Sequence, residues 1–217
     1  MAKLSGETGA LVKKYRSKKA DIEKRLVHFE SVGQQGGRAL FEELAFCILT
    51  PQSKAFSCNE AIEKLKSGGL LFDGKVPSIR KVLATKTRFH NKKAAYLVGA
   101  REKFEENGFE RLCNITFVGS ERDARGALLK EVKGMGWKEA SHYLRNVGRG
   151  KTIAILDRHI LKNLHRHGAI KTIPKSMTAL QYQVLEKQMQ KFCEKTGIPM
   201  AHLDLFFWAQ ETGVIFK

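Results

Sequence analysis

The chain has 217 residues and a formal net charge of +17, with 39 Lys and Arg side chains against 22 Asp and Glu. This charge favours a polyanionic partner, most often nucleic acid, and the alternative is a basic surface that serves solubility. No apolar run approaches the ~20 residues of a membrane span, and no signal-peptide core begins the chain, so we expect an intracellular protein without membrane association, built from one large or two small domains.

Hydrophobic spacing predicts a chain that is helical almost throughout, which is an all-α fold. The segment from Ala39 to Thr50 is apolar nearly all round, which indicates a central, buried helix that ends at Pro51. Ser53 is then expected to cap the following helix. Further helices are predicted at 7–30, 78–83, 92–104, 123–132, 137–147, 157–167, 179–196 and 200–211, whereas the segments 68–75 and 105–122 carry no usable signature.

The cysteines argue against a bound metal. They are too widely spaced for a zinc ribbon, a zinc finger or an iron–sulfur cluster. Reduced thiols are the simplest interpretation, and we expect neither a metal nor another cofactor. The four residues are Cys47, Cys58, Cys113 and Cys193.

Two predicted helices are joined by a Gly-x-Gly turn, in which Gly134 and Gly136 flank a methionine. Glycines allow backbone conformations that other residues avoid, and they let the chain approach a phosphate closely. The amides of this turn and the start of the second helix can bind a DNA backbone anion. The alternative is a tight corner with no ligand.

Lys138 falls in the first turn of the second helix, where the helix dipole mildly disfavours a cation. The same dipole, together with desolvation, can lower the pKa of an amine and make it a nucleophile. A plain phosphate contact is the alternative. Asp157 follows 19 residues later, after the apolar residues Ile153 to Leu156. It can cap the next helix, and it can also stabilise the positive charge that builds on a sugar when an N-glycosidic bond breaks.

The strings Lys133–Asn146 and Ala154–Leu161 resemble the helix-hairpin-helix DNA glycosylase superfamily. Within it, the chain is most similar to the type-2, archaeal-type 8-oxoguanine DNA glycosylases. The string Gly136–His142 and the terminal Lys217 select this subfamily, and the resemblance covers nearly the whole chain.

The resemblance implies a bifunctional base-excision repair enzyme that acts as a monomer on double-stranded DNA containing 8-oxoguanine. Lys138 is then the Schiff-base nucleophile, Asp157 is the assisting carboxylate, and β-elimination nicks the strand. The implied fold has two helical subdomains flanking an active-site cleft. We expect residues 1–37 with 149–217 to form one subdomain, and 38–148 to form the other, ending in the helix-hairpin-helix at about 125–148.

An enzyme of this family turns the damaged base out of the helix, which leaves a gap to fill. Gln52 resembles the residue that plugs this gap, Phe89 resembles the wedge beside the orphan base, and Arg88 could bond to that base. The alternatives are a solvated loop residue for Gln52 and a core anchor for Phe89.

The C-terminus is implied to take part in base recognition. A terminal carboxylate at Lys217 could accept the N7–H that 8-oxoguanine carries and guanine lacks. Trp208 could stack on the flipped base, and a place in the core is its alternative. Two other readings stay open for the whole chain: a helix-hairpin-helix glycosylase for another lesion, or a non-enzymatic nucleic-acid-binding protein.

Overall fold

The computed structural model describes residues 6–217, which form twelve α-helices and one short 3-10 helix, with no β-strand among these residues. The predicted all-α fold is confirmed. The helices are α1 (Gly6–Gly33), α2 (Gly37–Leu49), α3 (Ala55–Ser67), α4 (Leu70–Asp73), α5 (Val76–Leu83), α6 (His90–Phe104), α7 (Glu110–Phe117), α8 (Glu121–Glu131), α9 (Trp137–Asn146), α10 (Arg158–Arg166), α11 (Ala179–Thr196) and α12 (Met200–Thr212). Within the described part of the chain, no helix is long and apolar enough to cross a membrane.

The chain divides into two compact units. The middle unit is Glu30–Arg149, and the terminal unit joins the described residues up to Phe29 with Gly150–Lys217. The helix α1 continues across the first division, whereas the sequence placed the divisions after residues 37 and 148. We propose that these units are the two subdomains expected from the sequence.

The core of the middle unit is built around α2, of which nine of thirteen residues are buried, as its apolar sequence predicts. One of the nine is Glu43, a charged residue that needs a partner when it is buried. The Nδ2 of Asn146 donates to Glu43 Oε2 at 2.9 Å, which joins α2 to α9. Nearby, the hydroxyls of Thr116 and Tyr143 are 2.7 Å apart and join α7 to α9. The hairpin helix α9 is therefore fixed to the core by polar as well as apolar contacts.

The segment 105–122 is more ordered than its sequence indicated, since it contains α7. Only Leu112 and Thr116 of this helix are buried, which is too short a periodic signal to detect. A 3-10 turn precedes α7, and Asn107 and Phe109 adopt positive φ angles of 50° and 69° there.

In the terminal unit, α10, α11 and α12 follow a segment without regular secondary structure that begins at the division at Gly150. A capping box at Thr178 begins α11, because its hydroxyl accepts from the N–H of Gln181 at 3.2 Å while the Gln181 side chain accepts from the N–H of Thr178. Gly197, at φ 71°, ends the helix in the left-handed conformation.

Candidate active site and nucleic-acid interface

The predicted hairpin is present as α8, a five-residue turn and α9. Gly134 has φ +85°, and a Cβ at this position would overlap the ring of Tyr96. Gly136 lies in the extended region and begins α9, its carbonyl accepting from the N–H of Ala140 at 2.9 Å. The guanidinium of Arg125 on α8 lies 4.5 Å from the centroid of the Trp137 ring on α9, so a cation–π contact also joins the two helices.

The amine of Lys138 is held by two neighbours in the middle unit. Its Nζ donates to the Thr50 hydroxyl at 3.4 Å and lies 3.1 Å from Glu139 Oε1. The Thr50 hydroxyl donates to the carbonyl of Cys47 at 2.9 Å, so its lone pairs remain for the amine. The Lys138 side chain is 25% exposed, which leaves the amine accessible to a substrate.

The loop after α2 differs from its prediction. Ser53 does not cap α3, because Lys54 occupies the N-cap position and α3 has no side-chain cap. The Ser53 hydroxyl instead accepts hydrogen bonds from the backbone N–H of Arg88 at 3.0 Å and from Lys93 Nζ at 2.8 Å. Two long-range partners thus take the oxygen that the sequence assigned to a local cap.

Gln52 and Phe89 both lie in the left-handed region, with φ of 52° and 58°. Gln52 is exposed and Phe89 is 50% exposed, so Phe89 is not a core anchor. The guanidinium of Arg88 lies 5.5 Å from the centroid of the Phe89 ring. All three side chains are therefore available at the surface of the middle unit.

Asp157 belongs to the terminal unit, where it caps α10. Its Oδ1 accepts from the N–H of Ile160 at 2.8 Å, and the side chain is half-buried. The segment before it is held by α11. The N–H of Ala154 donates to Glu186 Oε1 at 2.7 Å, and the Tyr182 hydroxyl donates to the carbonyl of Ala154 at 2.7 Å. The backbone before Asp157 is thus held by α11, and the carboxylate itself is held by its hydrogen bond to the start of α10.

One carboxylate joins α10 to α12. Glu211 accepts from Asn163 Nδ2 at 3.1 Å and has three cationic or titratable neighbours within 4 Å. The hydrogen bond from Asn163, followed by the nearby charges, lowers the pKa of Glu211. The three neighbours are His159, Lys162 and Arg166.

The C-terminal tail folds back along α12. Gly213, at φ +84°, reverses the chain, and the Phe216 ring stacks on Trp208 with centroids 6.2 Å apart. Trp208 is half-buried, unlike the buried Phe207 before it, and the terminal Lys217 is also half-buried. A cavity of about 710 Å³ lies between α1 and this tail, and Lys18 is one of the residues that line it.

The sequence did not identify several of the residues that position these groups. Thr50 and Glu139 contact the Lys138 amine, but nothing distinguishes them from ordinary helix-end residues. Tyr182 and Glu186 are four apart, and this i, i+4 spacing on α11 was the one available signal. Lys93 is half of a Lys-Lys pair that resembles a solvated surface.

Comparison with known proteins gives a consistent result over nearly the whole chain. A family model described as 8-oxoguanine DNA glycosylase matches residues 22–198. The chain is 42% identical over 206 residues to an 8-oxoguanine DNA glycosylase/AP lyase of Fusobacterium nucleatum, covering 94% of each protein. It is 35% identical over 202 residues to the protein of the same name from Methanocaldococcus jannaschii, covering 90% of this chain and 91% of the other.

Solved structures agree with the sequence matches. The 8-oxoguanine DNA glycosylase of Thermotoga maritima superposes with a TM-score of 0.86 at 30% identity, covering 97% of this chain and 98% of the other. The Methanocaldococcus jannaschii 8-oxoguanine glycosylase/lyase, in complex with a 15mer DNA containing 8-oxoguanine, gives 0.84 at 31% identity, with 96% and 100% covered.

Proposed function

Because the chain belongs to the 8-oxoguanine DNA glycosylase family, we propose that it excises 8-oxoguanine from double-stranded DNA and nicks the strand at the resulting abasic site. It is a bifunctional DNA glycosylase and AP lyase of base-excision repair. Within the chain, the observation that carries the proposal is the partly exposed amine of Lys138, held at the start of α9 by Thr50 and Glu139.

We assign the nucleophile to Lys138. Its neutral amine attacks C1′ of the damaged nucleotide, the C1′–N9 bond breaks, and the base leaves with the electron pair and takes up a proton. The C1′–O4′ bond then opens, O4′ takes a proton and an imine joins Nζ to C1′. Glu139, whose Oε1 lies 3.1 Å from Nζ, is suited to accept the proton that the amine releases.

The same imine accounts for the strand cleavage. It makes the C2′ hydrogen acidic, and removal of this proton sends its electron pair into a C2′–C3′ double bond. The C3′–O bond breaks, and the phosphate leaves with the downstream strand, so that the nick lies 3′ to the abasic site. No redox step is required, and a water molecule then hydrolyses the imine, which releases the amine of Lys138 and leaves an aldehyde at C1′.

Asp157 is the proposed electrostatic partner of this chemistry. Positive charge develops on the sugar as the glycosidic bond breaks, and a fixed carboxylate stabilises it without having to reorganise. The bond from Ile160 uses Oδ1, so Oδ2 can face the sugar. The cap therefore supports the catalytic role of Asp157 and does not compete with it.

The remaining assignments concern DNA binding and base recognition. We propose that the amides around Gly134 and Gly136 bind the phosphate backbone, while Gln52, Arg88 and Phe89 occupy the space that the flipped base leaves. We further propose that Trp208 and Lys217 contact the 8-oxoguanine base. Its proposed substrate is genomic DNA, so the protein acts at the nucleoid. Its charge of +17 opposes self-association and favours a monomer.

Borohydride trapping tests the central assignment. The substrate is a duplex with a single 8-oxoguanine opposite cytosine, and Lys138→Gln is compared with the wild type. We expect a covalent adduct in the wild type and none in the variant, which should still bind the duplex. Lys130→Gln is a matched control, because it removes the same charge from an exposed position on α8. Equal trapping by Lys138→Gln would remove the assignment, and a wild type that traps only at other lesions would support a different substrate.

A further inference from the structure

Lys93 is a buried lysine whose amine is fully engaged. The residue is 3% exposed. Its Nζ donates to the carbonyl of Leu49 at 2.7 Å, to the carbonyl of Pro51 at 2.8 Å and to the hydroxyl of Ser53 at 2.8 Å. These three acceptors come from residues on both sides of Gln52 in the sequence, so one ammonium group fixes the loop that carries this residue.

The same lysine is joined to the turn that carries Phe89. The backbone N–H of Lys93 donates to the carbonyl of Phe89 at 3.0 Å. In addition, the Ser53 hydroxyl that accepts from Lys93 Nζ also accepts from the N–H of Arg88 at 3.0 Å. Three hydrogen bonds and the peptide bond between Arg88 and Phe89 thus close a circuit between two loops that are more than 30 residues apart in sequence.

Both loops are held in a conformation that they would otherwise avoid. Gln52 and Phe89 have φ of 52° and 58°, and a left-handed conformation is unfavourable for a residue with a Cβ atom. Such conformations persist only where surrounding contacts impose them, and they often mark functional sites. The circuit around Lys93 supplies these contacts for both residues.

We propose that Lys93 is a positioning residue that joins the Gln52 loop and the Arg88–Phe89 turn into one rigid element, so that plug and wedge enter the DNA together. This inference rests on the proposed function, because it requires a base to leave the helix. Lys93 itself acts through Gln52 and Phe89, and its ammonium group, which donates to three protein acceptors, has no part in the covalent chemistry.

The test separates base displacement from chemistry. In a Lys138→Gln parent, 2-aminopurine beside 8-oxoguanine in a duplex reports the opening of the base stack through its fluorescence. We expect Lys93→Met, which keeps the length of the side chain but loses its donors, to slow the fluorescence rise by about tenfold or more. Lys92→Met loses the same charge from the exposed neighbouring position, and it should stay within about threefold of the parent.

Two further arms separate positioning from general damage to the fold. Ser53→Ala should slow the rise as Lys93→Met does, and Ser53→Thr, which keeps the hydroxyl, should restore it. With Lys138 intact, imine trapping at an abasic site in single-stranded DNA needs no base displacement, so Lys93→Met should retain it within about threefold.

Each outcome then has a distinct meaning. A fluorescence rise that is unchanged in both Lys93→Met and Ser53→Ala would overturn the inference, and so would an equal loss of displacement and single-strand trapping. A wild type that opens the stack but forms no imine would instead overturn the proposed chemistry, while the fluorescence comparison would still decide the role of Lys93.

Discussion

Asp157 Oδ1 accepts a hydrogen bond from the backbone N–H of Ile160 at 2.8 Å. One side chain therefore begins α10 and carries the carboxylate that we assign to catalysis. A capping bond fixes the rotamer of the aspartate, and a fixed charge stabilises a developing cation better than a mobile one does. The two roles can be separated, because capping needs an oxygen acceptor whereas charge stabilisation needs a negative charge.

Asp157→Asn should separate these two roles. Asparagine caps a helix as well as aspartate does, so we expect the free energy of unfolding to be unchanged. Excision of 8-oxoguanine in single turnover should fall by about 10²-fold or more, because the charge is lost. Asp157→Ala should lose the same activity and also about 1 kcal/mol of stability.

The control for this prediction is Thr178→Ala, which removes the cap of α11 in the same unit without touching a proposed catalytic group. It should lower stability and leave excision intact. Full excision activity in Asp157→Asn would mean that this residue is a cap and nothing more.

The fold could be predicted from the sequence wherever apolar spacing extended over several turns. The buried α2 and the long α11 are examples, and both rest on local patterns. The helix α7 was missed because only Leu112 and Thr116 are buried. The prediction for Ser53 was wrong for a different reason: its partners, Arg88 and Lys93, are distant in sequence, and no local rule could choose them over the start of α3.

In the candidate site, too, the residues with a local sequence signal could be predicted and those with only distant contacts could not. Lys138 and the glycines of the hairpin could be identified because a cation in a first helical turn and a Gly-x-Gly pattern are unusual locally. Thr50 could not, since its contact with the Lys138 amine spans 88 positions. The burial of Lys93 could not be predicted either, because two consecutive lysines are typical of a solvated helix face.

The two glycines of the hairpin should differ in their tolerance of a side chain. Gly134→Ala forces alanine to φ +85° against the ring of Tyr96, so we expect a loss of about 1–2 kcal/mol from the conformation alone. Gly136 has an ordinary φ of −102°, and its added Cβ would meet only the flexible end of Glu139 at 3.0 Å. Urea unfolding of the two variants measures the difference, and equal losses would contradict this account of the turn.

Extending the chain beyond Lys217 should weaken the selection of 8-oxoguanine over guanine. The tail folds back along α12 through the stack of Phe216 on Trp208, which holds the chain just before Lys217. Two added glycines would convert the terminal carboxylate into a neutral amide, whose carbonyl oxygen accepts the N7–H of the lesion more weakly than a charged carboxylate does. We expect the ratio of excision rates for 8-oxoguanine and guanine to fall by about tenfold or more.

The matched control for the tail is the same pair of glycines added before Met1. This variant has the same composition but keeps the terminal carboxylate. If both extended proteins discriminate as the wild type does, the carboxylate of Lys217 has no role in base recognition.

The buried amine of Lys93 should give stability an unusual dependence on pH. Burial lowers its pKa from 10.5 to about 8. Between these two values the unfolded chain holds a proton that the folded chain has released, so the free energy of unfolding should rise with pH in this window. Lys93→Met removes the group. The free energy of unfolding of the wild type, minus that of the variant, should therefore increase from about pH 8 to pH 10.5.

The charged and titratable groups that act on Lys93 are Cys58, Glu139, Lys138 and Arg88. Cys58 needs its own control, because burial raises the pKa of its thiol from 9.0 to about 11. That shift has the opposite effect on stability. Above pH 9 the unfolded chain has released the thiol proton that the folded chain still holds, so the free energy of unfolding falls as the pH rises. Denaturant titrations at several pH values, with Cys58→Ala in both proteins, isolate the lysine. A stability difference that stays constant across this window would show that the folded protein keeps Lys93 protonated, which contradicts the predicted release of its proton on folding.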